Sequence, residues 1–145
     1  MSKELAFWDA SGIVPLCVHE SASRHAQAQL RHFMPVVWWA SSVEVRSAIA
    51  RLHRLGTLKE ADKTGAVSRL NLLSRAWREI LPSDSVCQVA SDLLDSNELR
   101  AADSLQLAAA LIWCQERTAR RRFICADQRL SKSAASVGFS VVELT

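Results

Sequence analysis

Five short apolar runs, separated by longer stretches of helical periodicity, constrain this chain more than any other feature. They lie at Leu5–Asp9, "VVWW" 36–39, "EILP" 79–82, "RFICA" 122–126 and "SVVEL" 140–144. Helices are expected over Ser11–Val18, Ser21–Phe33, Ser41–Leu55, Lys59–Trp77, Asp84–Leu94, Ala101–Glu116 and 128–137. The 41–55 stretch is the clearest, because Val45, Ala48, Ile49, Leu52 and Leu55 recur at intervals of three and four and Gly56 follows as a stop. Pro15 is acceptable only near the first turn of its helix. Pro35 should break the chain before its strand, Pro82 should stop one, and Gly65 should bend the 59–77 helix. Strands alternating with helices imply a parallel sheet covered on both faces. The expected fold class is therefore α/β, a three-layer α/β/α sandwich around a small central parallel sheet, with residues 1–145 forming one domain.

Composition narrows the function classes. A formal charge of +3 permits a polyanionic partner but does not demand one. Cys17, Cys87, Cys114 and Cys125 stand singly in apolar segments, with no C-x-x-C pair, so they read as buried free thiols rather than a zinc or redox site. The apolar stretch 105–114 is too short to span a bilayer, and no secretory leader pattern opens the chain. A reducing cytoplasm and no membrane contact are expected.

In a parallel sheet, strand carboxyl ends and helix amino ends share one edge, and ligands bind there. Asp9 ends the first run, and Glu44 lies in the first turn of the 41–55 helix. Asp103 lies in the first turn of the 101–116 helix, and Asp127 follows "RFICA" directly. All four are expected on that edge. Three have a structural reading as well. Ser41-x-x-Glu44 fits a capping box, Asp127 fits a helix cap, and Asp103 fits the positive end of a helix dipole. Asp9, with no basic residue beside it, has no evident partner. Asp103 is also set apart by its helix, which carries no other charge between Arg100 and Glu116. By contrast, Asp92 and Asp95 share a polar face with Gln88 and Ser91, and Glu60, Asp62 and Glu79 read as solvated. Four gathered carboxylates repel one another, and a divalent cation relieves that repulsion. Oxygen-only donors favour Mg²⁺ or Mn²⁺ over zinc.

"FWDASGIVPLCVHE" at 7–20, "SSVEVRSAIAR" at 41–51, "LRAADSLQLAAAL" at 99–111 and "FICADQRLSKSAASVGFSVV" at 123–142 together resemble the PIN domain, specifically the VapC toxins of toxin–antitoxin pairs. The resemblance covers nearly the whole chain in order. It implies a Mg²⁺- or Mn²⁺-dependent endoribonuclease that hydrolyses RNA, usually a homodimer, restrained by a cognate VapB-type antitoxin. Asp9, Glu44, Asp103 and Asp127 match the family's acidic positions. Ser11 matches its small hydroxyl position, where it would hydrogen-bond within the acidic cluster, though a plain helix cap is an equal reading.

A polyanionic substrate approaching acids needs a basic rim. Arg46, Arg51, Arg54, Arg100 and Arg129 are candidates by sequence proximity. "ARRRF" at 119–123 falls at a strand's amino end, on the wrong edge. Trp8, Trp38 and Trp39 read as core, whereas Trp77 and Trp113 could pack a dimer interface. Two rival functions remain. One is a catalytically inactive PIN-like module that binds RNA or assembles. The other is a Mg²⁺-dependent phosphatase, which would want a second Asp where Ser11 stands.

Overall fold

All five apolar runs enter a single sheet, as their alternation with helices demands. The structure, a computed structural model, describes residues 3–145. In chain order the elements are β1 (Glu4–Trp8), α1 (Ala10–Cys17), α2 (Ser23–Leu30), β2 (Phe33–Trp38), α3 (Ser41–Arg54) and α4 (Glu60–Ala76), then β3 (Arg78–Ile80), α5 (Asp84–Ser96), α6 (Ala101–Trp113), β4 (Arg122–Cys125), α7 (Gln128–Ser136) and β5 (Ser140–Glu143). The strand order is β3-β2-β1-β4-β5 and every pairing is parallel. Phe7 sits opposite Val36 on one side and Phe123 on the other.

Because side chains alternate along a strand, β1 feeds two cores. Ala6 and Trp8 pack with Ile13, Val45, Ile49 and Leu70 in the layer of α1–α4. Phe7 packs with Val86, Leu107, Phe123 and Leu130 in the layer of α5–α7. This is the three-layer α/β/α sandwich that the sequence pattern implies. Gly12 lets α1 lie directly on the sheet, since a Cβ there would come 3.0 Å from the carbonyl oxygen of Ile124. From β1 the chain steps outward to β2 and β3, then crosses back to β4 on the other side of β1. The crevice beyond the carboxyl ends of β1 and β4 is therefore the topological switch point, where open α/β sheets bind ligands.

Several local expectations need correction. Pro15 lies in the second turn of α1, where its ring leaves the Ser11 carbonyl without the usual partner four residues on. Pro35 lies inside β2 rather than before it; β3 joins β2 only from Val36, so the strand has a single neighbour at Pro35. β3 ends before Leu81 and Pro82, and α4 runs on through Gly65. α5 extends to Ser96, while α6 stops at Trp113 because Gln115 and Glu116 take left-handed φ angles of 54° and 61°. Trp39 falls one residue past β2 and is 52% exposed instead of buried. Trp77 is 7% exposed within the α1–α4 layer, which removes it from any dimer interface. Cys87 is exposed, while the other three thiols are buried. No helix among the described residues is long and apolar enough to cross a membrane.

Candidate functional site

Asp9, Ser11, Glu44, Asp103 and Asp127 all line one open cleft of about 1050 Å³ at the carboxyl edge of the sheet. Asp9 is the N-cap of α1. Its Oδ2 accepts from the Ser11 backbone N–H at 3.1 Å and from the Ser11 hydroxyl at 2.5 Å. The Ser11 hydroxyl in turn accepts from the Ala126 N–H at 2.9 Å, so it ties the ends of β1 and β4 together and does not cap a helix. Asp127 caps α7, accepting from the Leu130 N–H at 3.0 Å through Oδ1.

The capping box does not form. α3 is preceded by Ala40 with no side-chain cap, and Ser41 is fully buried inside the first turn. The amide of Gln106 is what holds Glu44. Its Nε2 donates to Glu44 Oε2 at 2.5 Å and to Ser41 Oγ at 2.9 Å, bridging α6 to α3. Gln106 lies three residues beyond Asp103, hence on the same side of α6. It is fully buried, and its own Oε1 has no partner.

Burial and crowding raise the proton affinity of Asp9, Glu44 and Asp103. Burial, reinforced by Asp103 and Asp127, pushes Asp9 up to about 6 against the opposing hydrogen bonds from Ser11. Burial, then Asp9 and Asp103, pushes Glu44 up to about 7 even though Gln106 opposes it. Asp103 is raised by burial and by Asp127, with Arg100 and Arg129 partly offsetting the rise. Perturbed carboxylates converging in a cleft mark a functional site. Asp92 and Asp95 are exposed and lie outside it.

Of the expected basic rim, Arg51, Arg100 and Arg129 line the cleft and Arg46 and Arg54 do not. "ARRRF" stays at the opposite edge as expected: Arg121 stacks on Trp113, and Arg122 pairs with Glu4. Two residues at the site were not picked out from the sequence: Gln106, buried behind the cleft, and Glu20, which lines it. The one signal for Gln106 is its standing as the lone amide in the apolar helix α6. Glu20, whose carboxyl is raised by burial, follows α1 in a loop with no flanking pattern.

Among the described residues, no three Asp, Glu, His or Cys side chains converge closely enough to hold one ion. A closed protein cage is therefore absent. The donors still suit Mg²⁺, which keeps several waters and is commonly bound through only one or two carboxylates. They suit zinc poorly, because no His lines the cleft.

A toxin–antitoxin complex from Klebsiella pneumoniae matches with a TM-score of 0.66 at 16% identity, over 94% of this chain and 95% of that one. The chain has a PIN-like fold. FitAcB from Neisseria gonorrhoeae matches it with a TM-score of 0.65 at 16% identity, over 96% and 97% of the two chains. PAE2754 from Pyrobaculum aerophilum gives 0.63 at 17% identity, over 96% and 90%. At such identities the likeness is one of fold. No family model matches the chain, and neither does any curated protein.

Proposed function

We propose that this chain is a Mg²⁺- or Mn²⁺-dependent endoribonuclease acting as the toxin of a VapBC-type toxin–antitoxin pair. The observation that carries the reading is the gathering of Asp9, Glu44, Asp103 and Asp127 on one cleft, at the switch point, with an arginine rim and with raised proton affinities at Asp9, Glu44 and Asp103. The toxin–antitoxin complex from Klebsiella pneumoniae shares the fold, which supports the role and an antitoxin partner.

In this reading the cation would be held directly by one or two of Asp9, Glu44 and Asp103, and through water by the rest. Bound there, a divalent ion would supply Lewis acidity for hydrolysis of a phosphodiester. The chain's own groups do the rest. Ser11 and Gln106 fix the Asp9 and Glu44 carboxylates so that little reorganisation is needed. Asp127, with Oδ1 committed to Leu130, has Oδ2 left to orient the attacking water. Arg51 and Arg129, on α3 and α7, offset the phosphate charges on either side, which the acids alone would repel.

The open spacing of the acids favours one second reading, an inactive PIN-like RNA-binding or assembly module. Incubation of purified protein with RNA separates the two. Cleavage that stops in EDTA and returns with Mg²⁺ or Mn²⁺ supports the nuclease. Binding without cleavage at any metal concentration supports the module, and release of phosphate from a phosphomonoester would point to a phosphatase instead.

A further inference from the structure

A second depression, of about 570 Å³, runs between the loop after α5 and the outer face of α7. Arg129 lines both this groove and the acidic cleft, so the two adjoin at that residue. One turn along α7, Lys132 and Ser133 line it further, together with Asn97 and Glu98 from the other side. Arg129 and Lys132 are exposed and make no ion pair among the described residues. Glu98 is the only acid there.

The contrast between the two depressions decides what each accepts. The cleft gathers carboxylates and attracts cations. The groove presents two exposed cations on one helical face, which suits an anion and disfavours a basic peptide segment. We propose that this groove is a subsite for the RNA strand on one side of the scissile linkage, with Arg129 and then Lys132 taking phosphates of the neighbouring nucleotides. The inference rests on the nuclease reading above for the identity of the strand. It adds a direction: the strand enters past Arg51 on α3, crosses the acids and leaves over α7. Each phosphate contact of this kind is electrostatic and sequence-independent.

The test is a double-substitution cycle read by binding, so that it stands apart from catalysis. A short single-stranded RNA is made with one phosphate at a time replaced by a neutral methylphosphonate. Its affinity is measured in Mg²⁺ for Asp103→Asn protein with Lys132 intact and with Lys132→Gln. At one linkage close to the cleavage position, neutralisation should weaken binding about fivefold when Lys132 is present and less than about twofold when it is absent. Arg129→Gln should shift the sensitive linkage in the same way, one position nearer the cut. Equal weakening in both proteins at every linkage would overturn the proposal. So would unchanged affinity on Lys132→Gln. Failure of the nuclease reading shows up separately, as RNA left intact by the unsubstituted protein.

Discussion

At the scale of single residues, Asp9 carries the sharpest consequence. It is 4% exposed and its carboxyl is pushed up from 3.8 to about 6, chiefly by burial. The folded chain holds this proton more tightly than the unfolded one. The associated stability is complete below about pH 4 and is lost as pH rises through about 6, on the order of 3 kcal/mol. In metal-free buffer, Asp9→Asn should match the unsubstituted protein near pH 4 and exceed it in stability at pH 7.5, because asparagine caps α1 nearly as well. Denaturant titrations at the two pH values check this. Added Mg²⁺ should stabilise only the protein that keeps Asp9, and equal gains in both would mean that Asp9 holds no cation. The four acids were legible because each sits at a strand end or a helix start, positions that topology alone brings to one edge. Gln106 and Glu20 were not. The bond from Gln106 to Glu44 spans 62 residues and depends on how α6 is rotated against α3, and nothing local to Glu20 places it on the cleft.

At the scale of elements, the site depends on two contacts. The amide of Gln106 joins α6 to α3, and Gly12 lets α1 rest on β4. Gln106→Leu removes the donor to Ser41 and Glu44 and should cost about 1–3 kcal/mol. It should also raise the Mg²⁺ concentration needed for half-maximal cleavage, which a metal titration measures. Gly12→Val adds bulk 3.0 Å from a backbone carbonyl and should destabilise by about 1–3 kcal/mol in a melting experiment. Because Asp9 and Ser11 lie just ahead of that residue in the chain, cleavage should fall in parallel. Element type and order were readable from periodicity, while the prolines misled. Pro35 is tolerated because β2 lacks a second neighbour there, and Pro15 because α1 is only eight residues long. Neither fact is local to the sequence. Trp39 likewise reads as strand by composition, yet it lies past the last residue of β2.

At the scale of the whole molecule, the parallel order β3-β2-β1-β4-β5 sets an acidic cleft at one edge and "ARRRF" at the other, within a chain of net charge only +3. The cleft would act on the RNA of its own cell, so expression of this chain alone in a host without an antitoxin should arrest growth, and Glu44→Gln should relieve the arrest. Growth curves of the two strains check this. The central claim, that these particular acids form one catalytic site, is tested most directly by the cleavage rate of a single RNA in Mg²⁺ for matched charge-removing variants. Asp103→Asn should fold normally and lose about a hundredfold or more of the rate. Asp92→Asn and Asp95→Asn, which remove the same charge outside the cleft, should keep it. A folded Asp103→Asn protein that cuts at the full rate would contradict the account.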